Sequence, residues 1–394
     1  MMNFITKSLA IEIENFVSFL NNDCGISTLK SFTKGAFVQN RNKIKPEVFK
    51  KLSSIIIDEF YEDNDASVKL WQGFRILAVD GSSIALPLTK ELMKKYGETK
   101  NQTKTSVVHG RVSVLYDALN NFVLDGILAP KSVGERALAI KHLAYCKLKD
   151  LVVYDRGYPC FDLIYEHHKR HVEFLMRVKA SFSTATKEFV ESGKSSLVID
   201  MFPGKNTKIK DKEYDRNFSI KVRMIRVELP GGEIEILLTS LLDKKKYKDG
   251  IFKDLYYKRW KVETFYDELK NKLKVEHFSG YSDNSILQDF YAALFVSNIQ
   301  SLIVNDIEEE LQQENKNTKF QYKINTNVSY GLLKNRIISL FFSDKDMETI
   351  MDELRYLFKR HLVPIRPDRS FQRNANKYRN RIRPKVTKNQ KDAI

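Results

Sequence analysis

The chain has 394 residues, 42% of them hydrophobic and 29% charged, and a formal net charge of +16, enough length for two or three domains with a sizeable core. So basic a balance points to a polyanionic partner, nucleic acid before any other. No apolar run nears the ~18 residues of a membrane span, and Cys24, Cys146 and Cys160 are odd in number and lie in no CxxC pattern, so a disulfide or thiolate-zinc framework is excluded. The opening residues, MMNFITKSLAIEIENF, gain acids at once and lack a signal-peptide apolar block, and a cytoplasmic setting without a membrane is expected.

Residues 1–70 read as helical. An apolar-periodic start breaks at Asn21-Asn22-Asp23-Cys24-Gly25, and helices are predicted over Ser27–Phe37 and Lys45–Tyr61. Between them Phe37 to Pro46 is rich in donors, with Arg41 and Lys43 placed for phosphate contact. A small helical DNA-binding module or an ordinary helical cap fits this segment. From Phe74 the period changes. FRILAVDGSS is a buried strand meeting a turn at Asp80-Gly81, and Val107–Leu119 and Phe122–Ala129 form a predicted hairpin about Asn120-Asn121. A helix over Glu135–Cys146, a buried strand at Leu151–Asp155, a helix opened by Pro159 and a strand at Val172–Val178 follow. This alternation predicts an α/β sheet over 71–178, and carboxylates at its strand ends are where sites form.

Over 179–248 the alternation stops, and three strand-like runs with a Pro230-Gly231-Gly232 hairpin predict an all-β insertion. Residues 249–305 return to the core with two helices, and 306–363 form a C-terminal helical region. In the segment 364–394, residues 365–390 carry nine basic side chains, Arg366, Arg369 and Arg373 first, against one acid, Asp368. With few aliphatic residues this segment cannot bury enough to fold alone, and it reads as a basic arm ordered on a polyanion or as a solubilising tail.

The informative stretch is LYYKRWKVETFYDELKNKLKVEHFSGY, residues 255–281. Tyr256, Arg259, Glu263 and Lys270 are separated by 3, 4 and 7 residues, so on a helix turning ~100° per residue they share one stripe. Leu255, Val262, Tyr266, Leu269 and Leu273 make the adjoining apolar stripe. One helix is predicted, packed along one edge and presenting an acid, two cations and a phenol along the next; a solvated amphipathic helix has the same pattern. Asp80 and Asp155 taken singly suit turns. Taken with Glu263, they form a set of distant acids that one sheet-and-helix fold brings together around two hard cations.

In these residues the chain resembles a known family. Tyr256-x2-Arg259-x3-Glu263-x6-Lys270 matches the YREK signature of DDE transposases of the IS-four group, and Asp80 in AVDGSS and Asp155 in YDRGY are similar to that family's two aspartates. HGRVSVLYDALN, EHFSGYS and RPDRSFQR resemble family contexts as well. The resemblance implies an RNase H-like, retroviral-integrase type core interrupted by a β insertion. It implies Asp80, Asp155 and Glu263 as catalytic residues binding two Mg²⁺ ions, with Mn²⁺ as substitute. It implies Tyr256, Arg259 and Lys270 as DNA contacts near the scissile phosphate. The implied activity is cutting of element ends and their joining to target DNA, by a homodimer on double-stranded terminal repeats. Relatives place in the insertion a Trp that stacks on a flipped base. Here Trp71 and Trp260 lie outside it, leaving Phe182, Phe189, Phe202, Tyr214 and Phe218 as replacements. Three other readings compete: a tyrosine recombinase built on His167-x-x-Arg170, a DNA-binding protein without catalysis, and a nuclease on the same core without strand transfer.

Overall fold

The computed structural model describes residues 8–23, 30–63, 68–100, 106–229, 231–314, 320–334, 336–343 and 345–366. Two helices come first. They are α1 (Leu9–Asp23) and α2 (Lys34–Arg41), the latter capped by the Thr33 hydroxyl, which accepts from the Ala36 amide at 3.1 Å. Then α3 (Glu47–Asp63) packs Phe60 on Phe122, and its Ser53 accepts from the Asn298 side chain at 3.2 Å. The sheet region contains β1 (Arg75–Leu86), α4 (Lys90–Tyr96), β2 (Glu98–Lys100), β3 (Ser106–Asp117), β4 (Val123–Pro130), α5 (Glu135–His142), β5 (Asp150–Tyr154), α6 (Phe161–Arg170) and β6 (Glu173–Val178).

β3 pairs antiparallel with β1 and β4, whereas β5 runs parallel to β1 and β6 parallel to β5. The resulting order β4-β3-β1-β5-β6, three antiparallel strands followed by two parallel ones, is the arrangement expected of an RNase H-like core. The predicted hairpin turn stands, with Asn121 at φ 60°, a left-handed conformation that Asn tolerates. Both faces of the central strands are covered, which is why they read as continuous apolar runs. Leu77, Val79, Val152 and Tyr154 pack with Ala139, Leu143, Leu163 and Ile164 on one side, and Ile76, Leu151 and Val153 pack with helical residues Phe252 and Leu255 on the other.

The stretch 179–248 differs from expectation in two ways. It holds a helix, α7 (Thr184–Glu191), before β7 (Ser196–Met201), β8 (Ile220–Glu228) and β9 (Ile234–Thr239). Intrinsic propensity in TATKEFVE is weak, but the Ser183 hydroxyl accepts from the Thr186 amide and Phe189 is buried in the core, so packing decides. Its strands also continue the core sheet, because β9 pairs antiparallel with β6 and β8 and β7 follow.

Beyond the insertion come α8 (Ile251–Tyr257), α9 (Trp260–Asn271), α10 (Asp283–Glu314), β10 (Tyr322–Ile324), α11 (Thr326–Lys334), α12 (Ser339–Phe342), α13 (Met347–Lys359) and β11 (Leu362–Pro364). The one helix expected from residue 255 is therefore two. At the break the Lys258 and Arg259 amides bond back to Leu255 and Tyr256, three residues away, at 3.2 and 3.1 Å, a tightened turn.

Contacts group the chain into two units. One comprises Met1–Ile44, Asn271–Lys274 and Ile299–Ile394, and the other Lys45–Lys270 and Val275–Asn298. The first, by itself, buries Tyr330, Leu333, Leu354 and Phe358, ties Arg355 to Asp306 at 3.0 Å and pairs β10 with β11. The second holds the whole nine-stranded sheet.

At the start of β1 and β5 the register pairs Arg75 with Asp150, and the guanidinium donates twice to that carboxylate, at 2.8 and 2.7 Å. Both residues are buried, so losing the acid leaves a buried cation short of its partner. Asp150→Ala is expected to lower stability by about 3 kcal/mol, read from the urea midpoint, and a change within experimental error would refute that role.

Candidate active site

The parallel register of β1 and β5 pairs Val79 with Tyr154. Asp80 and Asp155 come next, at the same level on neighbouring strands. Because side chains alternate and Val79 and Tyr154 point into the α5–α6 layer, both aspartates face the side covered by α8 and α9. There β5 ends while β1 continues, and the freed backbone groups are met locally. Asp80 Oδ1 accepts from the Gly81 amide and Asp155 Oδ1 from the Gly157 amide, each at 2.8 Å.

The third acid arrives on α9, whose Val262, Phe265, Tyr266 and Leu269 are buried. Two contacts fix this helix over β1. The Tyr266 hydroxyl donates to the Asp80 carbonyl at 2.7 Å, and Lys270 Nζ donates to Ser82 Oγ at 2.6 Å and the Ser83 carbonyl at 2.8 Å. Glu263 then stands two turns before Lys270, with its carboxylate 2.8 Å from Arg259 Nη2, while Arg259 Nη1 lies 4.0 Å from Asp80 Oδ2. The buried guanidinium also lies over the Tyr256 and Trp260 rings, at 5.8 and 4.9 Å. Tyr256 itself is buried against the core, on α8 rather than on the helix that carries Glu263.

Burial, together with the charges of Asp155 and Glu263, pushes the Asp80 carboxyl up to about 6, against the pull of the Gly81 amide and Arg259. The site is thus an acid cluster whose one close counter-charge, among the described residues, is a buried arginine. Its donors are all carboxylate oxygens, which suit a hard divalent cation. Among the described residues no three His, Cys, Asp or Glu side chains close into a metal cage as they stand; the guanidinium of Arg259 lies between Asp80 and Glu263 instead.

The other expected contacts are scattered. Arg41 is only 4% exposed, which sets it against a phosphate-contact role: the segment around it is helical, and its side chain turns inward. Lys43 is exposed, with Nζ donating to Asn40 Oδ1 at 3.0 Å. Arg366 is exposed just after β11, and Arg369 and Arg373 lie outside the described residues. Of the insertion aromatics, Phe189 and Tyr214 are buried and Phe182 and Phe218 pack on the core. Phe202 is 53% exposed. It lines a cavity of about 770 Å³ with Lys205, Lys208, Lys210, Lys212 and Arg136, and Arg136 Nε reaches the Gly157 carbonyl at 3.0 Å beside Asp155.

Two constellations resemble catalytic sets and are not placed to act. His167 is buried, bonded to the Tyr154 hydroxyl at 2.8 Å and the Val172 carbonyl at 2.9 Å, and burial lowers its pKa to about 4. A recombinase reading of His167-x-x-Arg170 therefore fails. Ser113, His142 and Asp125 form a connected set, at 2.9 and 2.7 Å, that no spacing in the sequence announces. All three are buried, with Lys50 closing the set 2.6 Å from Asp125, so the serine has no substrate to meet.

Because the folded Asp80 carboxyl holds its proton more tightly than an unfolded one, stability falls as pH rises from about 4 through about 6. Asp80→Asn is expected to stabilise the metal-free protein at pH 8 by about 2 kcal/mol, with the gain fading by pH 4, as read by thermal or urea unfolding across pH. Equal stability of the two proteins at pH 8 would contradict the burial and repulsion that hold the proton on Asp80.

Among curated proteins none matches the chain. Among solved structures, a cryo-EM piggyBac transposase synaptic complex with hairpin DNA is similar at a TM-score of 0.42 and 10% identity, covering 90% of this chain and 84% of that one; a likeness that distant carries no argument. The sequence profile described as "Transposase DDE domain" matches residues 71–299, which is more than half of the chain and spans β1, β5, α9 and all three acids, and the chain belongs to that family.

Proposed function

We propose that the chain is the transposase of an insertion sequence of the IS-four group, cutting element ends and joining them to target DNA. The observation that carries the reading is the placement of Asp80 and Asp155 at one level on β1 and β5 with Glu263 over them, joined to Asp80 through Arg259. Asp80, Asp155 and Glu263 would hold divalent cations, Mg²⁺ or Mn²⁺. Bound there, such ions supply Lewis acidity toward phosphate oxygens and activate a water or a 3′-hydroxyl as nucleophile. Arg259, whose charge here partly offsets the acids, then serves the scissile phosphate through its planar donor fork. Lys270 holds the Ser82–Ser83 backbone in place beside that phosphate, and Trp260, half exposed on α9, borders the same face.

The wide basic cavity around Phe202 supports a path for a DNA strand leaving the acids, with the lysines on phosphates and the ring on a base. Paired ends require two copies of the chain on DNA, with the 364–394 arm neutralising further phosphates. A nuclease reading differs only in lacking strand transfer.

Cleavage of a labelled element end in Mg²⁺, with EDTA as control, tests the assignment. Glu263→Gln and Asp155→Asn are expected to reduce cutting by at least about a thousandfold while the gel shift of the end is kept. Cutting by Glu263→Gln at the normal rate refutes the role of the acids, and cut ends that never join to a target establish the nuclease instead. Separately, Phe202→Ala is expected to weaken binding of ends with unpaired terminal bases about tenfold, and that of fully paired ends far less. An equal effect on both would count against stacking.

A further inference from the structure

On the opposite side of β1, two more groups stand beside the backbone that carries Asp80. A Cβ placed on Gly81 would lie 3.2–3.3 Å from Cγ, Cδ and Oε1 of Glu135. The glycine therefore lets the Glu135 carboxylate press against the backbone immediately after Asp80. Glu135 begins α5, and Arg111 Nε, 3.8 Å from its Oε1, is its cationic neighbour. The second group is Tyr158, at the end of the Asp155-Arg156-Gly157 turn. Its ring packs on Tyr154 at 5.4 Å, its side chain is 1% exposed, and its hydroxyl has no hydrogen-bond partner among the described residues. The anionic groups around that hydroxyl are Asp80, Glu135 and Asp155.

A buried O–H without an acceptor costs ~1–3 kcal/mol, and this one lies among carboxylates. The Glu135 side chain, 46% exposed, has room to turn toward it. We propose that Glu135 is a fourth acid of the site, joining Asp80 and Asp155 in holding a divalent cation, and that the Tyr158 hydroxyl is a positioning group that donates to these carboxylates. The inference rests on the carboxylate site proposed above. It also fits glycine at position 81, since a Cβ there would make the Glu135 side chain give by a few tenths of an ångström.

The test is a Mn²⁺ titration of the DNA-free, full-length chain, read by thermal shift, for the natural protein, Glu135→Gln, Tyr158→Phe and Asp155→Asn. Glu135→Gln is expected to raise the Mn²⁺ concentration at half-maximal stabilisation about tenfold, and Tyr158→Phe severalfold, with the metal-free melting temperature of Tyr158→Phe kept or raised. If Asp155→Asn moves the Mn²⁺ midpoint and Glu135→Gln does not, the fourth acid is overturned and the three-acid site stands. If neither moves it, both readings fall together. A shift with Glu135→Gln alone would put the cation away from Asp155 and overturn the inference as stated. If Tyr158→Phe lowers metal-free stability without moving the midpoint, the hydroxyl serves the core and the positioning role is lost.

Discussion

Two carboxylates at one level on adjacent parallel strands repel each other, and the architecture around them is organised to hold them there. Neither can swing away cheaply, because each accepts an amide from the residues just beyond it, where β5 has stopped and β1 runs on. A third acid on α9 adds to the repulsion, and one buried guanidinium offsets it. The counter-charge is only partial, one guanidinium against three carboxylates, and burial with the neighbouring acids leaves the Asp80 carboxyl raised. A site so loaded with negative charge favours any hard cation offered to it, and that is the physical ground on which metal-assisted phosphoryl transfer is proposed here.

Holding like charges together needs a rigid frame, and the frame is the sheet. Apolar layers on both faces fix β1 and β5 in depth, and the Arg75–Asp150 pair fixes their register at the far end. On the near end the Tyr266 hydroxyl and Lys270 ammonium fasten α9 to the β1 backbone. Two residues that a sequence reading assigns to DNA or to packing thus act together to set the height of Glu263. The break between α8 and α9 belongs to the same device. The tightened turn ends at Arg259, whose buried guanidinium reaches Glu263 and Asp80.

The strands of the insertion prolong this frame. Joined edge to edge through β9, they extend the rigid sheet to the lysine-lined cavity that Phe202 borders, and Arg136 ties that cavity to the turn after Asp155. A basic cavity lining and an exposed aromatic ring are therefore carried on the same scaffold as the acids.

Much of this was legible in the residues alone. Apolar runs ending in Asp80-Gly81 and Asp155-Arg156-Gly157 announced buried strands with acids at their ends, and the spacing from Tyr256 to Lys270 announced a helix edge carrying Glu263, because periodicity is a local property of the chain. The helix break at Lys258–Arg259 was not legible, since nothing in KRW forbids a helix and tertiary contacts chose the tighter turn. Helix α7 was hidden by weak propensity and formed by the burial of Phe189. Arg41 looked like a phosphate contact until folding turned it inward. Glu135 and Tyr158 gave no signal, because their meaning lies in what β1, α5 and the Asp155 turn bring within reach of one another. Local pattern determined most strands, helices and charged segments; only packing decides the weak ones and which charges must face each other, because that depends on register and on distances between segments far apart along the chain.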